Sequence, residues 1–166
     1  MKSLIILNGP MGAGKSTVGQ LMFERINQSA FIDGDWCLNL HPFIGNAETR
    51  TMAVRNILSL VHNYYDCTAC DTIILVWLID RMEVYHRIIE GLEELDLEIK
   101  TYTLICSESA LIKRWKLDTD CKWRTDHWLQ QSLKSLPFFR QFPSRQIETD
   151  NLRADKVTDL IINSIV

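Results

Sequence analysis

The chain has 166 residues and a mass of 19.3 kDa, a length that suits one domain able to bury a core without disulfide or metal staples. Apolar residues make up 46% and charged residues 23%, which excludes a disordered or fibrous chain. A formal charge of −3 and a pI near 5.8 argue against a nucleic-acid partner, because sequence-independent binding to phosphates needs a basic excess.

The first element is a short apolar strand at residues 3–7, containing Leu4-Ile5-Ile6-Leu7. It is too short for a signal segment or a membrane span, so a cytoplasmic protein without membrane contact is expected. Directly after it comes Gly9-Pro10-Met11-Gly12-Ala13-Gly14-Lys15-Ser16-Thr17, which satisfies G-x-x-x-x-G-K-[ST] between a buried strand and an amphipathic helix. The glycines let backbone N–H groups converge on phosphate oxygens, and the helix adds its positive amino end. Gly9, Met11, Gly12, Ala13, Gly14, Lys15, Ser16 and Thr17 are therefore candidate ATP-binding residues. Lys15 reaches the β and γ phosphates, and the Ser16 hydroxyl is a candidate Mg²⁺ ligand.

The helix is expected over 15–27, with Val18, Leu21, Met22 and Phe23 as its apolar residues. A second strand at 30–32 ends in Asp33-Gly34-Asp35-Trp36, which puts two carboxylates at the carboxyl end of a strand. A second helix at 48–65 carries Arg50 and Arg55. The third strand, 72–79, ends in Asp80, which reads equally as a metal-side acid or as the cap of the helix at 81–95. A fourth strand at 99–105, helices at 107–116 and 126–136 with Ser107 and Asp126 as caps, a weak fifth strand at 145–148 and a helix at 154–165 complete the chain. Strand and helix alternate throughout, which predicts a three-layer doubly wound α/β sandwich around a mainly five-stranded parallel sheet.

Between the fourth and fifth helices, residues 113–126 form a basic-rich polar stretch that includes Arg114 and Arg124. The five cysteines are odd in number and scattered. Cys67 and Cys70 have C-x-x-C spacing, but no second Cys or His pair completes a tetrahedral site, so free thiols are expected.

The phosphate loop and the acids of 33–36 together resemble the small P-loop kinases of metabolites, the gluconate kinase and shikimate kinase group within the nucleoside monophosphate kinase-like P-loop NTPase fold. The resemblance follows element order over nearly the whole chain and is specific in motif only at residues 4–36. It implies a single kinase domain, residues 1–166, with a short lid at about 117–125, and an ATP-dependent, Mg²⁺-requiring transfer of the γ phosphate to a hydroxyl of a small metabolite. In that group the acid pair serves Mg²⁺ and accepts the acceptor's proton, which makes Asp33 the metal-side acid and Asp35 the base. The lid position implies Arg124 on the transferring phosphate. Arg114 is a candidate to stack on adenine, and Arg50 and Arg55 lie where related kinases bind an anionic acceptor. Trp36, beside Asp35, is a candidate wall of the acceptor pocket.

Residues 79–82, Ile-Asp-Arg-Met, depart from the Gly-x-Pro-Arg-like element of adenylate-type kinases. A nucleotide kinase or a nucleic-acid end kinase therefore stands as the alternative enzyme. An ATP-binding regulatory switch or a drug-shielding resistance protein is the alternative of another class. A monomer and a homodimer both fit the sequence.

Overall fold

In a computed structural model, five parallel strands lie in the order β2-β3-β1-β4-β5. The structure describes every residue except Thr119, Lys122, Trp123 and Val166. The strands are β1 (Lys2–Asn8), β2 (Ser29–Asp33), β3 (Thr72–Val76), β4 (Leu97–Ile105) and β5 (Arg145–Glu148). The helices are α1 (Lys15–Arg25), α2 (Ala47–Asp66), α3 (Met82–Glu90), α4 (Glu108–Leu117), α5 (Asp126–Gln141) and α6 (Ala154–Ile162), with one 3₁₀ turn at Trp36–Leu38.

Side chains of a strand alternate between faces, and here the alternation divides the core in two. Leu4, Ile6, Ile73 and Leu75 pack with Ala53, Ile57 and Val61 of α2 and with Val84 and Ile88 of α3. Ile5, Leu7, Ile74 and Val76 pack on the other face with Val18 and Met22 of α1 and Val157 and Ile161 of α6. Both faces of β1 and β3 are covered, so these strands are continuous apolar runs rather than alternating ones. Each buried Leu or Ile contributes roughly 1.5–3 kcal/mol. The doubly wound sandwich expected from the sequence is the architecture observed.

Several boundaries differ from expectation for local reasons. β3 stops at Val76 rather than continuing to 79: the Trp77 N–H makes the last bond to β1, at the Leu7 carbonyl, and the Ile79 N–H goes to the Asn8 side chain instead. The cap of α5 is Thr125, whose hydroxyl accepts from the Trp128 N–H, and Asp126 is instead the first helical residue. α5 also passes through Pro137 to Gln141, five residues past the expected end. Ser107 caps α4 as expected, accepting from the Ala110 N–H.

The strand order reverses around β1: β2 and β3 lie on one side and β4 and β5 on the other. In open α/β sheets such a switch point opens a crevice at the carboxyl ends of the strands. The phosphate loop leaves β1 into that crevice.

Candidate functional site

The loop is fixed at both ends by packing. Asn8, fully buried, closes two hydrogen bonds with the Ile79 peptide: its Oδ1 accepts from the Ile79 N–H at 2.9 Å, and its Nδ2 donates to the Ile79 carbonyl at 3.2 Å. Gly9 follows at φ 143°, and a Cβ there would meet the Leu104 carbonyl oxygen at 2.5 Å. Gly12, at φ 89°, rests on Leu111 and Trp115 of α4. From the far side, the Ser132 hydroxyl of α5 donates to the Met11 carbonyl at 2.8 Å. The loop is thus tied to the segment after β3 and to β4, α4 and α5, and its donors are oriented before any ligand arrives.

Lys15, the first residue of α1, turns back over the loop. Its Nζ donates to the carbonyls of Gly9 and Pro10, each at 2.9 Å. Burial pushes its pKa down to about 8; Asp35 and Asp33 pull the other way, and Arg124 adds to the depression.

Around Lys15 lies a cavity of about 370 Å³ whose lining includes Gly14, Ser16, Thr17, Asp33, Asp35 and Arg124. β2 ends at Asp33, so the extended alternation that would send the two carboxylates to opposite sides stops there. Gly34 and a helical Asp35 (φ −69°, ψ −33°) bend the chain, and the Asp35 N–H donates to Asp33 Oδ1 at 2.9 Å. Gly34 has no alternative at this bend, since a Cβ would stand 2.2 Å from Trp77 Cγ. Burial raises the Asp33 carboxyl above the usual range, opposed by the hydrogen bond from the Asp35 backbone.

The 3₁₀ turn then sorts the side chains, because residues three apart eclipse and adjacent ones diverge. Asp35 and Leu38 share a second pocket of about 230 Å³ with Met11, Asn39, Phe43 and Trp128. Trp36 and Cys37 line another cleft with Phe31 and Asn56. Trp36 is 75% exposed, so the wall expected of it beside Asp35 is made by Trp128 and Phe43 instead. Asp35 lines both the phosphate-loop cavity and the second pocket. Two roomier clefts, one beside Trp36 and one between α4 and α5, include no phosphate-loop residue.

Arg124 is held at the cavity edge. Its Nε donates to Asp118 Oδ2 at 2.7 Å, and its guanidinium carbon sits 4.5 Å from the Trp115 ring centroid. The Trp115 indole N–H is buried without a hydrogen-bond partner among the described residues. Thr119, Lys122 and Trp123, part of the expected lid, lie outside the described residues.

Other expected residues stand apart from this cavity. Arg114 donates to the hydroxyl and carbonyl of Thr149, just past β5. Arg50 and Arg55 sit on α2 and line neither the phosphate-loop cavity nor the pocket beside Asp35. Asp80 is exposed, lies 3.8 Å from Arg81, and does not cap α3, whose N-cap is Arg81. It lines a cleft with Met11, His127 and Trp128 rather than the Lys15 cavity. Of the C-x-x-C pair, Cys67 is exposed and Cys70 buried, both as free thiols.

Sequence reasoning gave no role to Asn8, Asp118, Ser132 or Trp128. Asn8 carried a usable signal, as a polar residue closing a fully apolar strand must find partners when buried. The others act through tertiary neighbours that local pattern does not encode.

A phosphate loop at the switch point of a five-stranded parallel sheet with helices on both faces defines a P-loop NTPase fold. The sequence profile of the AAA domain family matches residues 5–127, and the chain belongs to that family. Solved structures with the same fold include a tunicamycin resistance protein from Deinococcus radiodurans (TM-score 0.70, 18% identity, covering 99% of this chain and 96% of that one). A gluconokinase from Sinorhizobium meliloti is similar as well (TM-score 0.71, 17% identity, 95% and 87% covered). So is a sugar kinase from a Janibacter species (TM-score 0.75, 12% identity, 99% and 95% covered). The resemblance to small-molecule P-loop kinases therefore holds at the level of the fold. No curated protein matches the chain by sequence. No helix among the described residues is long and apolar enough to cross a membrane.

Proposed function

We propose that this protein is an ATP-dependent, Mg²⁺-requiring phosphotransferase that moves the γ phosphate of ATP to a hydroxyl of a small metabolite, acting as one kinase domain. The observation that carries the reading is the position of Asp35, which lines the phosphate-loop cavity and also the neighbouring pocket. A carboxylate common to both compartments can take a proton from an alcohol in one as its oxygen attacks a phosphorus in the other.

Lys15 trades the loop carbonyls for phosphate oxygens, and the loop N–H groups hold the rest of the triphosphate. Arg124 supplies a guanidinium where equatorial oxygens gather charge, and the segment around it excludes water as a lid. Arg114, held by Thr149, offers a planar face to adenine. Ser16 and Asp33 suit Mg²⁺ as a pair of hard oxygen donors on one cavity. Asp33 in particular carries a carboxyl that burial makes costly to ionise, a cost that a cation relieves. Bound there, the ion would neutralise phosphate charge. Arg50 and Arg55 have no part in this reading.

A second reading is favoured by the likeness to a protein named for tunicamycin resistance: a domain that binds a drug in the pocket beside Asp35 and shields it without turnover. Release of ADP from Mg·ATP, measured on purified protein with and without a series of hydroxyl compounds, separates the two. The phosphotransferase raises ADP release above the acceptor-free rate with at least one compound and yields its phosphate ester. Saturable binding without any acceptor-stimulated release supports shielding instead.

A further inference from the structure

Two side chains of one helix hold Arg124. Its Nε donates to Oδ2 of Asp118, the C-cap of α4, at 2.7 Å, and its guanidinium carbon lies over the ring of Trp115, 4.5 Å from the centroid. The two holds differ in kind. Asp118 is an anion, 43% exposed at its side chain, and a phosphate competes with it for the same donors. Trp115 is buried and uncharged, so a phosphate does not displace it. Its other contact is the phosphate loop: a Cβ added at Gly12 would stand 3.4 Å from Trp115 Cε3 and 3.6 Å from Cζ3. One ring therefore meets the loop with an edge and the guanidinium with its π system. The helix that carries this ring is itself fixed. At its start the Ser107 N–H donates to Asp150 Oδ1 at 2.7 Å, and near its end Arg114 donates to the hydroxyl and carbonyl of Thr149.

We infer that Trp115 is a positioning residue, whose ring sets Arg124 against the phosphate loop and keeps the guanidinium at the cavity when a phosphate takes the place of Asp118. This rests on the phosphotransfer reading of Arg124 and adds the residue that aims it. A guanidinium stacked on an indole is attracted through its face, while its N–H groups stay free in the guanidinium plane for phosphate oxygens. The ring thus holds the cation without consuming its donors, which a carboxylate cannot do. Arg124 also helps to depress the Lys15 pKa, and both line the one cavity. The stacked guanidinium and the loop lysine therefore face the same space. A support packed beneath a site in this way holds its geometry through the exchange of ligands.

The test reads the γ phosphate alone and needs no acceptor. Affinities for Mg·AMP-PNP and Mg·ADP are measured by calorimetry in the wild type, Trp115→Phe, Trp115→Met, Arg124→Gln and the double variant of the last two, with circular dichroism as the check on folding. The preference for Mg·AMP-PNP over Mg·ADP should fall about three- to tenfold in Trp115→Met and in Arg124→Gln. It should fall no further in the double variant, because the two side chains act as one unit. Trp115→Phe keeps an aromatic face and should keep the preference. A ring that only props the loop would weaken both nucleotides alike and leave the preference where it was. That result in Trp115→Met overturns the inference, as does an equal loss in Trp115→Phe or additive losses in the double variant. Trp115→Leu takes the place of Trp115→Met if the latter does not fold. An unchanged preference in Arg124→Gln removes Arg124 from the transferring phosphate, and its role in phosphotransfer fails together with the inference. A loss in Arg124→Gln with none in Trp115→Met overturns the positioning alone.

Discussion

The two compartments that meet at Asp35 are built differently. On the phosphate side the loop is held at four points: Asn8 by the Ile79 peptide, Gly9 against the Leu104 carbonyl, Gly12 against α4 and Met11 by Ser132. On the other side, residues 41–46 are all exposed. Hydrogen bonds flank that stretch, from Asn56 Nδ2 to the Cys37 carbonyl and in the Asn46–Thr49 capping box of α2. The lesson is a division of labour. Triphosphate geometry is constant, so a cradle for it can be packed into the core, whereas a wall carried by exposed loop residues can change without disturbing the sheet.

The largest expected effect falls on the rigid side. Lys15→Met should reduce phosphotransfer by at least about 10³-fold while circular dichroism stays that of the folded protein, since the side chain contacts the loop rather than the core. Its stability effect has the opposite sign. With a folded pKa of about 8 against 10.5, the folded chain binds fewer protons than the unfolded one between those values, so stability rises with pH across that window. Below about pH 8 the buried ammonium is a full cost, partly offset by its two hydrogen bonds. Lys15→Met should therefore gain about 1 kcal/mol in urea unfolding at pH 7 and lose that advantage by pH 10.5. Normal turnover in the folded variant would break the rigid-side assignment.

At the shared carboxylate the two sides should separate. Asp35→Asn keeps the shape and removes proton acceptance, so kcat is expected to fall roughly 10²- to 10⁴-fold with ATP affinity and Mg²⁺ dependence retained. Asp33→Asn should instead raise the Mg²⁺ concentration at half-maximal rate. Unchanged kcat together with unchanged acceptor KM in Asp35→Asn means that Asp35 touches neither chemistry nor substrate, and the two-compartment reading fails.

The same contrast explains what the sequence disclosed. The phosphate loop was legible because its glycines, lysine and serine are contiguous and each answers a local demand of backbone or charge. The sheet was legible because burial on both faces writes long apolar runs such as Ile73-Ile74-Leu75-Val76. The wall of the pocket beside Asp35 was not legible. It joins Met11, Leu38, Phe43 and Trp128, which span more than a hundred residues of the chain, and turns on a 3₁₀ bend that sends Trp36 away and Leu38 inward. Proximity in sequence to Asp35 points to Trp36, whereas the tryptophan lining the pocket beside Asp35 is Trp128. Arg50 and Arg55 of α2 line neither compartment, because a helix can carry a charge near a site in sequence without aiming it there.

The smallest effect concerns Arg124, whose guanidinium is shared by Asp118 and the Trp115 ring. Asp118 is 43% exposed at its side chain and Arg124 18%, so the pair belongs to the partly screened class worth about 0–1 kcal/mol. A transferring phosphate competes with that carboxylate for the same donors. Asp118→Asn weakens the competitor and leaves the stacking on Trp115 in place, which keeps the guanidinium near the cavity. Affinity for an ATP analogue should then rise by up to about fivefold, the equivalent of 1 kcal/mol, and the gain should be larger at low salt than at high salt. Weaker binding in Asp118→Asn would mean that the carboxylate aims Arg124 rather than restraining it. Asp118 would then be a positioning residue, and the edge of the phosphate cavity would be as firmly built as its floor.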